Sequence, residues 1–406
     1  GQAGAICYSR SQDAGATFDI VHQVIDDIDS TFYFGFSSDD YAIDSDGDNV
    51  AILAGGLLAG VTLLTSTDNG DTWVKTVVDT FPIAKYDSQT MISDVDGDLV
   101  ADTIECNDGS LSVLIDGNGT VHCYWGVTRT LDDVEADPPS YFPGWDGLAY
   151  WNSSRAIGNV DTIAFALDQN GNGTLDIPTG GSSQFGFGIY GTGLTSHPSA
   201  GIDEDGVLYL AYSSVVDGSD DGAGRLLRHT YIIESTDGGD TWSEPVDIYE
   251  DDFSECAFAS IARKVDDCVH VLYQRDDQGG HALSADAAGT QTDPGNTGGE
   301  IVYTCVPRNA VGIDEHIPAE SALNSFSVYP NPFTQGTEFF IDLKERTNIT
   351  ATVVDLTGRT VLEITNGNVA EGRHTYTVNL ETVTNGIYFV NLQLNNELYS
   401  QKVMKF

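Results

Sequence analysis

Short runs of residues that alternate between polar and apolar, or that are β-branched and aromatic, recur along the chain between turns rich in Gly, Asp and Asn. Examples are residues 207–212, 230–233 and 269–273, in which β-branched and aromatic side chains predominate. Alternation with a period of two predicts strands that bury one face, whereas helical spacing of apolar residues is almost absent. The chain is therefore predicted to be all-β.

One eight-residue segment occurs twice almost unchanged, as STDNGDTW at residues 66–73 and STDGGDTW at residues 235–242. A looser copy, SQDAGATF, occupies residues 11–18, and a degenerate copy begins at Ser284. The segment resembles the Asp-box, or BNR repeat, of sialidase-like β-propellers. Successive copies begin 55, 169 and 49 residues apart, and 169 is close to three such steps. A repeat of about 50 residues is typical of a four-stranded blade, so residues 1–306 are predicted to form a β-propeller of five or six blades.

The composition of the box indicates a structural role. Its glycine permits a turn with positive φ, its Asp can accept backbone N–H groups, and its aromatic residue can pack beneath the hairpin. The resemblance implies that the box lies between the third and fourth strands of a blade, away from the ligand-binding face. We expect these box residues to be architectural rather than catalytic: Asp13, Asp68, Trp73, Asp237 and Trp242.

Residues 326–406 are predicted to form a small Ig-like β-sandwich after a linker at residues 307–325. They contain YPNPF at 329–333, DLTGR at 355–359, GIY at 386–388 and a final KVMK at 402–405. In order and spacing these motifs resemble the type A C-terminal sorting domain of the type IX secretion system in Bacteroidota-type bacteria. The resemblance implies export by the type IX secretion machinery, followed by removal of the domain and surface anchoring or release. We therefore predict an extracellular or outer-surface location.

The charge of the chain is strongly negative and unevenly distributed. Of 62 acidic and 17 basic residues, residues 326–406 hold 8 and 6, which leaves a net charge of −43 on residues 1–325. Such a surface repels phosphates and anionic lipids, so nucleic acids and anionic membranes are not expected partners. The longest apolar stretch, residues 50–64, is interrupted by glycines and is too short for a transmembrane segment. No amino-terminal signal sequence is recognisable, so we expect that it has been removed or that the chain is a fragment.

Six cysteines are consistent with three disulfides in an oxidising compartment, the alternative being six free buried thiols. Two pairs flank predicted turns and are expected across hairpins. The remaining two cysteines lie in strand-like segments 5–9 and 301–305, whose pairing would close the ring of blades. The expected pairs are Cys106 with Cys123, Cys256 with Cys268, and Cys7 with Cys305.

Three Asp-rich turns carry side-chain oxygens at alternate positions, as calcium-binding loops do. In two of them oxygens occupy positions 1, 3, 5 and 9, the spacing of calcium loops in integrin-type propellers. The third has Ile52 at position 9, and the alternative for all three is a solvated Asp-Gly turn. The predicted calcium ligands are Asp94, Asp96, Asp98 and Asp102, then Asp168, Asn170, Asn172 and Asp176, and in the third turn Asp44, Asp46 and Asp48.

Catalytic signatures are weak by comparison. A sialidase needs three arginines that hold a carboxylate, a Tyr–Glu nucleophile pair and an acid Asp. Residues 1–325 hold only eight arginines and lack the Arg-Ile-Pro motif of that family. The eight histidines show no zinc-binding spacing.

An aromatic stretch at residues 141–151 offers a possible binding surface, with Trp145, Tyr150 and Trp151 as candidates; the alternative is blade core. The sequence thus favours an exported, non-catalytic propeller for binding, adhesion or surface assembly. Its expected partners are glycans, surface proteins or further copies of the chain. The alternatives are a structural subunit of an extracellular fibre or sheath, and a glycan-processing enzyme of the sialidase-like glycoside hydrolase type.

Overall fold

The structure is a computed structural model that describes residues 5–26, 28, 40–137, 139–169, 173–177, 186–220, 224–248, 254–276, 279–280, 299–311, 323–329, 333, 336–355, 359–380, 383–384, 386–394 and 397–405. The described residues form 25 strands and one 3₁₀ helix, which confirms the all-β prediction. They divide into two compact units, Gly1–Ile313 and Asp314–Phe406. The division falls within the predicted linker at residues 307–325.

The first unit holds eighteen strands, and the 3₁₀ helix Arg308–Ala310 follows the last of them. The strands are β1 (Cys7–Arg10), β2 (Ile20–Val24), β3 (Tyr41–Asp46), β4 (Asn49–Ala54), β5 (Val61–Ser66), β6 (Val74–Asp79), β7 (Ile104–Ile115), β8 (Val121–Leu131), β9 (Ser140–Tyr141), β10 (Leu148–Asn152), β11 (Asp161–Ala164), β12 (Thr195–Ile202), β13 (Leu208–Asp220), β14 (Leu226–Ser235), β15 (Val246–Asp247), β16 (Glu255–Ile261), β17 (Cys268–Asp276) and β18 (Glu300–Pro307).

Consecutive strands of this unit form four antiparallel sheets and one hairpin among the described residues. The sheets are β3 to β6, β7-β8-β10-β11 with β9 beside β8, β12 to β15, and β16 to β18. β1 and β2 form the hairpin. Apart from the two-residue β9, neighbours in each sheet follow one another along the chain, as in the blades of a propeller.

The first strands of successive sheets lie side by side. His197 of β12 donates its backbone N–H to Ser110 Oγ of β7 at 3.1 Å, and Ile261 of β16 donates to Ser199 Oγ of β12 at 3.0 Å. Apolar side chains fill the space between neighbouring sheets, and the buried Trp125 belongs to one such core. The first strands therefore line a common axis, and the propeller prediction is confirmed.

The predicted closure of the ring and the predicted disulfides are wrong. Among the described residues β1 pairs with β2 alone and β18 pairs with β17 alone, so segments 5–9 and 301–305 do not pair with each other. Cys268 instead bonds to Cys305. Cys305 lies opposite His270, two residues along β17 from Cys268, and this register leaves the two cysteine Cα atoms 5.4 Å apart. Cys256 lies opposite Arg275, at the other end of β17 from Cys268. The other four cysteines form no disulfide: Cys7 is exposed, and Cys106, Cys123 and Cys256 are buried.

The expected Cys106–Cys123 bridge fails because the two residues occupy different rungs of the β7–β8 ladder. Cys106 lies opposite Thr128, whereas Cys123 lies opposite Val113. A turn that separates two cysteines in the sequence therefore does not place them across from each other.

The second unit consists of two antiparallel sheets that share one apolar core, which makes it a β-sandwich. The sheets are β19-β20-β23 and β22-β21-β24-β25, and the core includes Phe339, Val353 and Val403. β19 begins inside the predicted linker, and parts of the YPNPF and DLTGR motifs and of the linker lie outside the described residues. The strands are β19 (Leu323–Tyr329), β20 (Gly336–Leu343), β21 (Thr347–Asp355), β22 (Thr360–Val369), β23 (Gly372–Asn379), β24 (Gly386–Leu394) and β25 (Glu397–Lys405).

Candidate functional site

The three box turns share one hydrogen-bond pattern and join β1 to β2, β5 to β6 and β14 to β15. In the second of them, Asp68 Oδ1 accepts the Thr72 N–H at 2.8 Å, and Asp68 Oδ2 accepts the Thr72 hydroxyl at 2.6 Å. Hydrogen bonds from Thr72 and Ser66 lower the pKa of Asp68 to about 2. Asp13 and Asp237 bind the equivalent Thr in the same way. These carboxylates are thus occupied within their own turns.

The aromatic residues of two boxes pack against neighbouring rings. Trp73 meets Tyr8 edge to face at a centroid distance of 5.4 Å, and Trp242 meets Tyr124 and Tyr150 at 5.9 and 5.4 Å. Each of these two boxes therefore attaches its hairpin to an adjacent part of the unit.

The first Asp-rich turn brings together three of its four predicted ligands. One carboxylate oxygen each of Asp94, Asp96 and Asp102 lies within 4.8 Å of the others. Asp98 is not part of this cluster, and its carboxylate accepts the Val100 N–H at 2.8 Å. The cluster could hold a hard cation with three carboxylates, to which water or backbone oxygens would add.

The other two turns differ from the first. Asp44 is not available to a cation, since its carboxylate pairs with Arg263 Nε at 2.6 Å and accepts the Ile115 N–H at 2.7 Å. Asp44 thus connects three sheets. Among the described residues Asp44, Asp46 and Asp48 do not form a cluster that could hold a cation. In the second turn Asp168 accepts the Gly173 N–H at 2.6 Å, and the Asp176 N–H donates to Asp217. The predicted ligands Asn170 and Asn172 lie outside the described residues.

The aromatic stretch is largely core, so the prediction that Tyr150 and Trp151 contact a ligand is wrong. Both lie on β10, which pairs on both edges and is covered on both faces, and they are 0 % and 2 % exposed. Trp145 is half-buried, and the Arg129 guanidinium stacks on its ring with Cζ 3.4 Å from the centroid. The ring face of Trp145 is therefore already occupied on that side.

A cavity of 530 Å³ lies where the first strands of three successive sheets bulge. The ladders of β7, β12 and β16 shift register after Asn107, Ser196 and Ala257, respectively. Each bulge contains a residue with positive φ that lines the cavity: Gly109 at 86°, His197 at 55° and Phe258 at 57°. Bulges redirect side chains, and positive φ is costly for residues other than glycine. The same irregularity in three sheets thus shapes one space, which we call the axial cavity.

Asp108 is fixed in the wall of the axial cavity. One of its carboxylate oxygens accepts the Ser110 N–H at 2.9 Å and the Ser110 hydroxyl at 2.6 Å, and the other accepts the Gly193 N–H at 3.1 Å. Burial raises the pKa of Asp108, which these hydrogen bonds partly oppose. The half-buried Asp40 also lines the cavity.

Behind one wall of the axial cavity lies a buried ion pair. Tyr190 lines the cavity and donates its hydroxyl to Glu255 Oε1 at 2.6 Å. Arg228 Nη1 is 4.0 Å from the same oxygen, and the guanidinium lies 4.9 Å from the Tyr190 ring centroid. Arg228 also donates to the carbonyl oxygens of Gly188 and Gly193. Its side chain is therefore directed at the protein rather than at a ligand.

The aromatic side of the cavity is a cluster of three rings. His197 and Phe258 meet at a centroid distance of 4.7 Å, and Tyr190 and Phe258 meet edge to face at 5.0 Å. Burial and the nearby Arg228 charge lower the pKa of His197 to about 3, so this ring is neutral at physiological pH. Phe258 is 41 % exposed and presents an apolar surface to the cavity.

None of these cavity residues was predicted from the sequence. The bulges arise from pairing between strands far apart in the chain, and no local motif marks them. The one sequence signal for these cavity residues is an aromatic or histidine residue between small neighbours in the middle of a strand. Residues 257–259, with the sequence Ala-Phe-Ala, are an example.

A second cavity of 430 Å³, which we call the outer groove, lies beside β5 and β6. Its walls include the apolar residues Leu57, Phe81 and Ile83. Two lysines and two aspartates also line it: Lys75, Lys85, Asp40 and Asp79. The outer groove therefore holds charges of both signs, and Asp40 lines both cavities.

Among the described residues no helix has the length and hydropathy needed to cross a membrane.

Comparison with known proteins identifies the second unit. A family model for the secretion system C-terminal sorting domain matches residues 327–405. No curated protein is significantly similar to the chain.

Several solved structures are similar to the chain. PorZ of Porphyromonas gingivalis, described as an essential surface component of the type-IX secretion system, is 11% identical over 94% of this chain and 41% of its own, with a TM-score of 0.22. The sialidase of Trypanosoma rangeli is 11% identical over 99% and 57%, with a TM-score of 0.31. The GH93 α-L-arabinofuranosidase of Fusarium graminearum is 12% identical over 90% and 92%, also at 0.31. The chain spans less than half of PorZ, and at these TM-scores the likenesses assign neither activity nor ligand.

The family match and the motifs of the second unit agree in position and order. Residues 327–405 are thus a type IX secretion system C-terminal sorting domain, and the protein that carries them is exported to the cell surface or secreted.

Proposed function

We propose that the propeller is an exported, non-catalytic binding module that takes a small ligand in the axial cavity. The observation that carries this proposal is the bulge repeated in β7, β12 and β16. Two non-glycine residues adopt positive φ there, and such strain is typical of sites that serve a ligand. A volume of 530 Å³ is in the range of small-molecule sites.

Binding is favoured over catalysis because two buried carboxylates, one in the cavity wall and one behind it, are already engaged with the protein. Asp108 accepts three hydrogen bonds, and Glu255 is held by Tyr190 and by the backbone N–H of Arg228. Among the described lining residues there is no arginine, so the carboxylate clamp of a sialidase is not assembled there. The alternative of a fibre or sheath subunit stays a prediction from the sequence.

We expect Phe258→Ala to weaken ligand binding about tenfold, because the loss of one aromatic contact costs roughly 1–1.5 kcal/mol. The measurement is a thermal-shift screen of the full chain with neutral sugars, amino acids, amines and organic acids at millimolar concentration, followed by titration of each hit. Phe165→Ala is the matched control, since Phe165 is 54 % exposed and does not line the cavity. A hit that binds Phe258→Ala and Phe165→Ala equally well would place the binding site elsewhere.

We also propose that calcium binds the Asp94–Asp96–Asp102 cluster and holds the loop that precedes β7. The close approach of three carboxylate oxygens supports this, because like charges gather at low cost only when a cation or solvent neutralises them. The role of the ion would be structural. Each carboxylate also accepts a backbone N–H, so the turn is formed before the ion arrives.

For this site we expect Asp96→Asn to lower calcium affinity by about tenfold or more, since a carboxylate ligand is lost. The affinity is measured by calorimetric titration of the chelator-treated protein, together with the rise in melting temperature on adding calcium. Asp98→Asn is the control, because Asp98 has the same charge and lies outside the cluster. Equal losses of calcium affinity in the two variants would show that calcium binding depends on the overall negative charge and not on this cluster.

A further inference from the structure

We infer that the first box turn, residues 11–18, is a docking surface for a strand of a partner protein that presents a tyrosine and, two residues later, an arginine. None of residues 11–18 is among the described residues that line the axial cavity, so the inference goes beyond the proposed ligand. It rests on the other two box turns. Each of those turns is covered by a tyrosine and an arginine from strands that precede it in the chain.

The second box turn is covered by Tyr8 and Arg10, which lie two residues apart on β1. The Tyr8 ring meets Trp73 edge to face, with ring centroids 5.4 Å apart, and its hydroxyl donates to the Gly70 carbonyl oxygen. Arg10 Nη1 donates to the Asn69 carbonyl oxygen at 2.6 Å. The covering pair therefore contacts two backbone carbonyls and the aromatic ring of the box.

The third box turn is covered in the same way, although by a different part of the chain. Tyr150 of β10 meets Trp242 edge to face at 5.4 Å and donates its hydroxyl to the Gly238 carbonyl oxygen at 3.2 Å. Arg155 Nη2 donates to the Gly239 carbonyl oxygen at 2.9 Å. The two covering segments differ in sequence, so their shared contacts indicate that the box turn itself is complementary to a tyrosine and an arginine.

The first box turn exposes the surface that is covered in the other two. Its internal hydrogen bonds are those of the other turns. A Cβ atom placed on Gly70 or Gly239 would lie against the covering tyrosine, whereas one on Gly15 would meet no described residue beyond its chain neighbours within 4 Å. Phe18, at the position of the two box tryptophans, is 54 % exposed. The turn is thus formed, and its outer face is open.

The contacts of the covered turns define the chemistry of the partner segment. A tyrosine supplies an edge-to-face contact for the Phe18 ring and a hydroxyl for a box carbonyl. An arginine two residues later lies on the same side of an extended strand and can donate to the neighbouring carbonyl, as Arg10 does in the second turn. The net charge of −43 on residues 1–325 further favours a segment that carries a cation.

A second copy of this chain is not the expected partner. Tyrosine is followed two residues later by arginine only at residues 8–10 and 273–275. Arg10 is already engaged by the second box turn, and Tyr273 is 3 % exposed. The strand that docks therefore belongs to another protein.

The test is calorimetric titration of the full chain with the peptide acetyl-Thr-Tyr-Ser-Arg-Thr-amide, which carries the Tyr-Ser-Arg sequence of β1. We expect this peptide to bind and acetyl-Thr-Ala-Ser-Arg-Thr-amide, which keeps the charge and lacks the ring, not to bind. Phe18→Ala is expected to weaken binding about fivefold, through the loss of an aromatic contact. Phe165→Ala is the matched control, because Phe165 is also 54 % exposed and lies outside the turn.

Ala16→Asp provides a second variant, which should strengthen binding. The sixth box position is an aspartate in the other two turns, Asp71 and Asp240, and Asp71 pairs with Arg10 at 2.8 Å. We expect Ala16→Asp to bind the tyrosine–arginine peptide about threefold more tightly, as an exposed ion pair does. Its affinity for acetyl-Thr-Tyr-Ser-Gln-Thr-amide should not rise. Ala136→Asp, at another exposed alanine, is the control for the added charge.

Equal peptide binding by Phe18→Ala and Phe165→Ala would overturn the inference, because the peptide would then bind elsewhere. Failure of the tyrosine–arginine peptide to bind would also overturn it, and the first box turn would then be a solvated turn. Equal gains in Ala16→Asp and Ala136→Asp would overturn the placement of the arginine. Self-association of the chain in analytical ultracentrifugation, lost in Phe18→Ala, would overturn the choice of partner and identify a second copy instead.

Discussion

Arg228→Met is expected to destabilise the propeller unit by about 3–5 kcal/mol at neutral pH, the cost of leaving one partner of a buried ion pair without the other. Arg228 and Glu255 are 0 % and 2 % exposed, and their closest side-chain atoms are 4.0 Å apart. Met keeps much of the volume and removes the charge and two hydrogen bonds to backbone carbonyls. Urea unfolding followed by tryptophan fluorescence measures the effect in this unit alone, because all five tryptophans lie in residues 73–242.

The loss should depend on pH in a definite direction. Burial raises the pKa of Glu255 in the folded protein, and the Arg228 charge opposes that rise. Without Arg228 the folded pKa rises further, so the folded state binds a proton over a pH range in which the unfolded chain is ionised. Stability then falls as pH increases from the ordinary glutamate range to the folded pKa. We therefore expect a larger destabilisation at pH 8 than at pH 5.

Two further variants separate this mechanism from a general loss of packing. Arg228→Met combined with Glu255→Gln should recover a large part of the loss and remove its pH dependence, because no buried charge remains. Arg275→Met should cost less than about 1 kcal/mol, since the Arg275–Glu300 pair is partly exposed. A pH-independent loss in Arg228→Met, unchanged by Glu255→Gln, would mean that the ion pair is not the cause.

The all-β class was predictable because short runs of β-branched and aromatic residues between Gly, Asp and Asn turns are a local signal. The box turns were predictable because their residues form hydrogen bonds within eight positions. The disulfide was not, since Cys268 and Cys305 become neighbours only after β17 and β18 pair across the intervening residues. The turn between Cys256 and Cys268 in the sequence instead predicted a bond between these two cysteines. Sequence distance was a poor guide wherever strand register decides which residues meet.

The candidate site was missed for a related reason. The aromatic side chains of Tyr150 and Trp151 suggested a binding surface. Both residues are buried because β10 is paired on both edges and covered on both faces. Phe258 and His197 stand in ordinary strand sequence, and they reach the axial cavity because bulges change the direction of their side chains. An alternating pattern assumes a regular ladder, so it fails at bulges, where functional residues are concentrated.

Val403→Asp in the sorting domain is expected to reduce export by about tenfold or more, because it places a carboxylate in the core of the β-sandwich at a cost of several kcal/mol. Val403 is 0 % exposed, and β25 pairs with β24 along its whole length. A marginally stable domain of this size does not tolerate such a loss. Protein in the medium, at the cell surface and in the periplasm is quantified in a bacterium with a type IX secretion system.

Thr360→Asp is the matched control, since it introduces the same carboxylate at an exposed strand position of the same domain. The contrast tests what the secretion machinery recognises. Lys405 of the basic end is 6 % exposed, and its Nζ donates to the Val383 carbonyl at 2.7 Å, so its charge serves the fold. If recognition depends on the folded sandwich, Val403→Asp blocks export while Thr360→Asp does not. Normal export of Val403→Asp, which keeps residues 404–406, would mean instead that the machinery reads the end of the chain as an extended segment.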